Sequence, residues 1–374
     1  MIKKTHPLQS SYVGTQREIV SFHYGQAAAG EKVYIQASLH ADELPGMMVA
    51  HHLRQHLAKF EANNQLRGEV VVVPVANPIG LAQTVSRSQL GRFDVATGEN
   101  FNRHYPALFL AIKDKVASQL TSDEVENTRI IRAAMRAHLA ATAPTGELAS
   151  MRHALMSLAC DADVVLDLHC DADAVLHLYT GTPMWPQCEP LARAMGAHAT
   201  LLATESGDNP FDEACSQTWW QLAAAFASAP IAMACLSVTI ELRGQTDVSH
   251  NQAAIDAQSI VDFLMHRGVI TVEPNALPIL PALLHPATPL AGSEALEADV
   301  SGVVAFLRKP GDVVQAGDVI AEVIDPLSGV VKQFRCKTSG VLYARENRYF
   351  ATVGMRLAKV ASATAFRTGN LLSA

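Results

Sequence analysis

Three residues, His40, Glu43 and His169, carry side chains of the kind that bind a catalytic metal ion. His40 and Glu43 lie three positions apart in SLHADELPG, directly after the apolar run KVYIQA, and His169 ends the run DVVLDLH. Two histidines and one glutamate are a common ligand set for catalytic zinc, and they leave a coordination position for water. Ligands gather beyond the carboxyl ends of strands in open α/β sheets, so residues that follow separate apolar runs can converge. The pattern indicates one divalent metal ion, with zinc favoured by the ligand types.

A simpler interpretation stays open at this point. A single His-x-x-Glu is a weak signal in a chain with 15 histidines, and SLHADELPG could be an ordinary polar turn at a sheet edge. Cys170, next to His169, is expected to be a small buried thiol. His51, His52 and His56 in the first predicted helix are expected to be surface or packing residues. No sequence feature marks the other histidines as metal ligands: His104, His153, His177 and His250.

Glu241 is a candidate general base. It lies in CLSVTIELRG, near the end of an apolar run, where a carboxylate is costly unless it is paired or functional. A carboxylate beside a metal ion can take a proton from water and deliver it to a leaving amine. The alternative is a simple ion pair with Arg243. Asp167, two residues before His169 and on the same face of a strand, could orient a metal ligand.

The elements that must position these residues form an α/β pattern up to about residue 270. Short apolar runs predict strands at 32–39, 69–76, 163–169, 174–180 and 235–242. Helical patterns between them predict helices at 45–60, within 107–160 and at 250–267. Apolar runs of this kind, with helices between them, predict a mixed central sheet covered by helices on both faces.

A change of composition divides the chain near residue 270. We expect a catalytic α/β domain over 1–270 and a proline-rich linker over 271–290, where the prolines of EPNALPILPALLHPATPL exclude a regular helix or a central strand. Residues 291–374 then combine Gly-Asp turns with pairs of valine and isoleucine, which predicts a small all-β, barrel-like domain.

Composition excludes several classes of function. A formal charge of −7 without a basic run argues against a nucleic-acid partner. No stretch of about 18 apolar residues indicates a membrane span, and no secretory signal is recognised. The six cysteines lack C-x-x-C spacing, as is typical of reduced thiols, so a cytoplasmic protein is expected. A homo-oligomer is possible, but the sequence does not decide it.

Four motifs together resemble a known family. SLHADELPG, GENFNRHYP, LDLH and VTIELRG occur in the order seen in the succinylglutamate desuccinylase/aspartoacylase family, over roughly residues 30–270. The resemblance implies the fold of the zinc carboxypeptidases and one Zn²⁺ per chain, bound by His40, Glu43 and His169. It also implies that Glu241 activates the hydrolytic water.

The same resemblance implies how a substrate is held. Asn102 and Arg103 match the pair that grips the substrate carboxylate, and a planar guanidinium suits that task because it can donate two parallel hydrogen bonds. The family also uses an arginine to polarise the scissile carbonyl. Arg87 and Arg92 both depart from the expected spacing for it, and we favour Arg92.

The C-terminal part resembles the hammerhead barrel of biotinyl and lipoyl carriers through SGVVAFLRKPGDVVQAGDVIAEVIDP. Carrier domains present a modified lysine in a hairpin, and IDPLSGVVK has no such lysine at its tip. We therefore expect a structural or gating module without lipoyl or biotinyl groups.

Together these features predict hydrolysis of the amide bond of a small N-acyl amino acid. Two alternatives stay open: a carboxypeptidase acting on short peptides, and a non-catalytic zinc- or ligand-binding homologue. Retention of Glu241 argues against the second, because a binding protein needs no base beside its metal. An interaction protein built on the carrier-like module is weakened by the missing lysine.

Overall fold

The computed structural model describes residues 1–27 and 29–372. Strands and helices are interspersed up to His266. The strands are β1 (Ile2–Pro7), β2 (Glu18–Gly25), β3 (Lys32–Ala37), β4 (Glu69–Val73), β5 (Thr84–Val85), β6 (Ser88–Gln89), β7 (Val164–Asp171), β8 (Asp173–Ala174), β9 (His177–Gly181), β10 (Ala199–Ala203) and β11 (Leu236–Gly244). The helices are α1 (Pro45–Ala62), α2 (Pro78–Leu81), α3 (Leu108–Val116), α4 (Glu124–Ala141), α5 (Glu147–Ala159), α6 (Trp185–Met195), α7 (Phe211–Ala225) and α8 (His250–His266).

A mixed sheet forms the centre of the molecule. Among the described residues it has nine strands in the order β1-β2-β4-β3-β7-β11-β9-β10, ending with β12 (Thr288–Pro289). The middle strands β4, β3, β7 and β11 run parallel, whereas β9 is antiparallel to β11. All four middle strands therefore end at one edge of the sheet.

Alternate side chains of these strands pack into two different cores. In β3, Val33 and Ile35 belong to one hydrophobic cluster and Tyr34 belongs to the other. Side chains alternate between the faces of a strand, so a strand covered on both faces reads as a continuous apolar run. Helices α1, α6 and α8 cover one face, and α3, α4, α5 and α7 cover the other. The predicted α/β fold with a mixed, helix-flanked sheet is confirmed.

Local signals explain where several helices begin. Pro45 occupies the first turn of α1, where backbone N–H groups have no acceptor within the helix, so the absence of one in proline costs no hydrogen bond. Asp123 caps α4 by accepting from the backbone N–H groups of Val125 and Glu126. Ser249 caps α8 in the same way through the N–H of Gln252.

The chain after His266 has a different character. The proline-rich segment contains a short 3-10 turn (Pro274–Ala276) and reaches the central sheet at β12, which pairs with β10. Up to residue 372, where the described part ends, eight short strands follow: β13 (Ser293–Glu297), β14 (Gly302–Phe306), β15 (Val313–Val314), β16 (Val319–Ile324), β17 (Val331–Arg335), β18 (Gly340–Arg345), β19 (Phe350–Ala351) and β20 (Arg356–Ala361). We call residues 291–372 the β module.

The β module has its own core and is joined to the α/β part. Its strands form two sheets, β17-β16-β14-β19 and β13-β20-β18-β15, around a separate hydrophobic cluster. Strand β8 of the α/β part pairs with β18, with Ala174 opposite Ala344. A further cluster contains Tyr179 and Leu201 from one side and Tyr343 from the other. No helix within the described ranges has the length and hydropathy needed to span a membrane.

Candidate metal centre

His40, Glu43 and His169 meet at the carboxyl edge of the central sheet. His40 and Glu43 lie in the turn between β3 and α1, and His169 lies near the end of β7. Strands β3 and β7 are parallel neighbours, with Ala37 beside Leu168, so both chains reach this edge together. All three side chains are buried.

The two histidines face the same carboxylate. His40 Nδ1 is 2.8 Å from Glu43 Oε1, and His169 Nδ1 is 2.8 Å from Glu43 Oε2. One ligand atom from each residue lies within 4.8 Å of the others. Two imidazole nitrogens and a carboxylate that converge in this way can hold a divalent metal ion.

The charges around these nitrogens also fit a cation. Burial, followed by Arg92, lowers the pKa of His40 to about 4, so its ring is neutral, as a ligand must be. Burial by itself would lower the pKa of His169, but the carboxylates of Asp167 and Glu43 outweigh it and raise the pKa. The position that His169 Nδ1 faces therefore favours positive charge.

The far side of each ring is turned to an oxygen acceptor. His40 Nε2 is 2.9 Å from Asn100 Oδ1. His169 Nε2 lies 3.1 Å from Asp167 Oδ2, although the two atoms are not aligned for a hydrogen bond. Asp167 accepts from the amide of Gln36 at 3.0 Å, which fixes the carboxylate. Such outer contacts orient the rings of metal-binding histidines.

Glu241 lies beside this group on the neighbouring strand. In the parallel register of β11 and β7, Glu241 is paired with His169. Its Oε2 is buried and has no hydrogen-bond partner among the described residues. Burial, with Glu43 second, raises the pKa of Glu241 to about 8. Arg243, the partner considered from the sequence, instead pairs with Asp256 of α8.

Arg92 reaches the centre because its loop approaches the β3–α1 turn closely. The N–H of Ala41 donates to Gly91 O at 2.9 Å. A Cβ atom at Gly91 would lie only 2.1 Å from the backbone nitrogen of Asp42, so no other residue fits there without a shift. The Arg92 Nη1 atom is then 3.4 Å from His40 Nδ1 and 3.7 Å from Glu43 Oε1.

Arg87, the alternative to Arg92, lies elsewhere. It is an exposed residue in the turn between β5 and β6, and it is not among the residues that line the cavity over the centre. The structure thus brings Arg92, and not Arg87, to the candidate metal ligands.

Asn102 and Arg103 line the cavity over the candidate centre, and both side chains also form hydrogen bonds within the protein. The Asn102 Oδ1 atom accepts from the N–H of Phe211 at 2.9 Å, at the start of α7. The Arg103 Nη1 atom donates to Asn102 O at 2.6 Å. These contacts hold both side chains in place at the wall of the cavity.

A cavity of about 740 Å³ opens above the candidate centre. Its walls come from both parts of the molecule: Tyr343, Arg345, Arg356 and Lys359 of the β module line it together with the residues described above. The Arg345 side chain is fixed by Asp173 at 2.7 Å. The arrangement combines a metal-binding group, a buried carboxylate and several cationic side chains in one pocket.

Two functional features of this site were missed by sequence reasoning. Asn100, the partner of His40, belongs to GENFNRHYP, but only its neighbours Asn102 and Arg103 were singled out. Asp212 also lines the cavity, and burial, with Asp167 second, raises its pKa to about 6. The loop that precedes Asp212, residues 203–211, is mostly polar, and a polar sequence does not indicate that the acid following it is buried.

Comparison with known proteins places the chain in a family. The model of the succinylglutamate desuccinylase/aspartoacylase catalytic domain matches residues 29–267. This chain belongs to that family. The predicted membership is therefore confirmed, and the four motifs that suggested it lie inside the matched range.

Solved structures of family proteins match nearly the whole chain. A family protein from Shewanella amazonensis SB2B is 27% identical, with a TM-score of 0.84, over 96% of this chain and 98% of its own. One from Shewanella frigidimarina NCIMB 400 is 24% identical, with a TM-score of 0.85, over 96% and 97%. The ectoine utilization protein EutE (DoeB) from Ruegeria pomeroyi shares the fold at 17% identity and a TM-score of 0.65, over 96% and 94%. None of the curated proteins compared with the chain matches it significantly.

Proposed function

We propose that this family member is a zinc-dependent hydrolase that cleaves the amide bond of a small N-acyl amino acid. The observation that carries the proposal is the convergence of His40 Nδ1 and His169 Nδ1 on the Glu43 carboxylate, with Glu241 on the adjacent strand. A ligand set with a separate, partly buried carboxylate beside it suits hydrolysis better than metal storage.

His40, Glu43 and His169 are the residues that hold the metal. When bound, zinc would lower the pKa of the hydrolytic water to about 7 and would act as a Lewis acid toward the carbonyl oxygen of the substrate. Asn100 keeps the His40 ring in the orientation that directs Nδ1 at the centre. The Asp167 carboxylate, 3.1 Å from His169 Nε2, favours the same orientation of the second ring through its charge.

Glu241 acts as the general base and then as the general acid. Its carboxylate accepts a proton from the attacking water and returns it to the nitrogen of the leaving amine. Burial, chiefly, raises the pKa of Glu241 to about 8, and a raised pKa makes this carboxylate a stronger base.

The arginines orient the substrate and stabilise charge. Arg103, with the amide nitrogen of Asn102, binds the substrate carboxylate, and this fixed orientation contributes to the rate. Arg92, whose guanidinium lies beside His40, faces the carbonyl oxygen as negative charge develops on it.

The β module limits the size of the substrate. Tyr343 and Lys359 form part of the cavity wall, and Lys359 is tied to Asp171 of β7. Because this wall is fixed to the α/β part and narrows the cavity, the site is expected to accept a small N-acyl amino acid in preference to a long peptide.

The test is release of free amine by zinc-loaded protein across N-acetyl, N-succinyl and N-formyl amino acids and a set of dipeptides. Glu241→Gln protein, in which one oxygen becomes nitrogen, is the matched control. Turnover of one acyl amino acid that is lost in the variant would support the deacylase. Preference for dipeptides would instead support a peptidase, and no turnover of any compound by zinc-loaded protein would overturn the proposal.

A further inference from the structure

Three histidines outside the candidate metal centre lie together on the surface. His51 and His52 are neighbours in α1, and His250 is the first residue of α8. We call them the surface histidine cluster. His52 Nε2 is 3.1 Å from His250 Nδ1, and all three rings reach solvent at least in part.

The spacing of two of the three ring pairs is close to that of the two histidines in the candidate metal centre. Two nitrogens that share a tetrahedral zinc ion, with bonds of about 2.0–2.1 Å, lie about 3.3 Å apart. The ring centroids of His51 and His52 are 5.2 Å apart, and those of His52 and His250 are 5.3 Å apart. The rings of His51 and His250 are farther apart, at 6.3 Å, so the three nitrogens do not yet converge on one point. The rings of His40 and His169 are 4.9 Å apart in the candidate centre, with a similar edge-on orientation.

The helices that carry the cluster are held firmly against each other. Leu53 and Leu57 of α1 share one hydrophobic cluster with Ala257, Ile260 and Val261 of α8. The first turn of α8 is further fixed by the cap at its N-terminus. The three rings therefore project from a rigid platform, and the proposal requires the His51 ring to rotate toward an ion shared by His52 and His250.

Gln55 already orients one of these rings. Its amide is 2.9 Å from His51 Nε2. The oxygen and nitrogen of a glutamine amide are distinguished only by their hydrogen bonds. If the two atoms of Gln55 are exchanged, its amide oxygen accepts a hydrogen bond from the Nε2–H group of His51. His51 then presents a free Nδ1, in the way that an outer acceptor fixes the tautomer of a metal ligand.

We propose that His51, His52 and His250 form a second metal site, specific for borderline divalent transition metals such as Zn²⁺, Ni²⁺ and Cu²⁺. Imidazole nitrogens suit these ions, whereas Mg²⁺ and Ca²⁺ require oxygen ligands. The site is separate from His40, Glu43 and His169, and it does not depend on the activity proposed above. An ion bound there connects α1 directly to α8.

The test is the number of metal ions bound per chain. Metal-free protein is dialysed against micromolar Ni²⁺ and, separately, Zn²⁺, and the bound metal is measured by elemental analysis. We expect His250→Gln and His52→Gln each to bind one equivalent less than the unaltered protein. His138→Gln, which alters a histidine on the distant helix α4, is the matched control and should bind as much as the unaltered protein.

Each outcome of this comparison decides the proposal. Loss of one equivalent in both cluster variants supports it, even if the candidate centre binds no metal. Equal stoichiometry in the unaltered protein and the cluster variants overturns it, as does binding that appears only at millimolar metal. Circular dichroism shows that the variants are folded, and nitrogen hyperfine splitting in the electron paramagnetic resonance of bound Cu²⁺ reports the histidine ligands directly.

Discussion

Lys359, in the last strand of the β module, pairs with Asp171 at the end of β7, two residues beyond His169. Burial by itself would raise the pKa of Asp171, but Lys359 lowers it to about 2, so the pair is ionised. The β module is thus bound electrostatically to the strand that carries a candidate metal ligand.

Replacing Lys359 with methionine should destabilise the protein. The change leaves the Asp171 carboxylate without its partner, and removal of one member of a largely buried pair costs about 1–3 kcal/mol. Equilibrium unfolding in urea measures the loss. The double variant Lys359→Met/Asp171→Asn should recover part of it, since no unpaired charge is left. Additive losses in the two single variants would contradict a direct pairing.

Glu241→Gln should abolish most of the proposed hydrolysis while metal binding is kept. A positioned general base contributes about 10²–10⁴-fold to the rate, and glutamine cannot accept the proton. The measurement is kcat of the zinc-loaded variant together with its zinc content. A variant that retains both zinc and full turnover would show that another group takes the proton.

Arg92 and Arg87 allow a matched comparison of two arginines. Arg92→Ala removes a guanidinium that is 3.4 Å from His40, and we expect kcat to fall by about 10²–10³-fold if it stabilises the oxyanion. Arg87 is exposed and lies outside the cavity, so Arg87→Ala should leave kcat unchanged. Equal effects of the two substitutions would exclude this role for Arg92.

Asn100→Ala should weaken metal binding without removing a ligand. Asn100 Oδ1 is the acceptor for His40 Nε2, and loss of such an outer contact lowers metal affinity by about 10–100-fold. Competition for zinc with a chromophoric chelator measures the change. Asn63→Ala, at the exposed end of α1, is the control and should bind zinc normally.

The sequence predicted those site residues that lie at or just beyond the carboxyl ends of strands. Runs of apolar residues located β3 and β7, and the rule that sites lie beyond the carboxyl ends of parallel strands brought His40 and His169 together. The strands differ slightly from expectation: β3 ends at Ala37, before His40, whereas β7 continues through His169 to Asp171.

Contacts between distant segments could not be predicted in the same way. The pairing of β8 with β18, which joins the β module to the α/β part, involves strands of two residues and six residues with no distinctive pattern. Arg243 and Asp256 meet only because β11 and α8 pack together, so the sequence left an ion pair of Arg243 with Glu241 open. His250 likewise approaches α1 only through the packing of α8.

Glu213 should make stability depend on pH. Burial, with the Asp212 carboxylate second, raises the pKa of Glu213 to about 7, whereas the usual value is 4.5. The folded state therefore binds more protons than the unfolded state between these values, and this group lowers stability as pH rises from about 4.5 to about 7. Glu213→Gln removes the cost of burying the charge, so it should stabilise the protein by about 1–3 kcal/mol above pH 7 and by little near pH 4. Urea unfolding of both proteins across this range measures the difference. A difference that stays constant with pH would show that Glu213 titrates alike in the folded and unfolded chains, and that its environment does not favour the neutral acid.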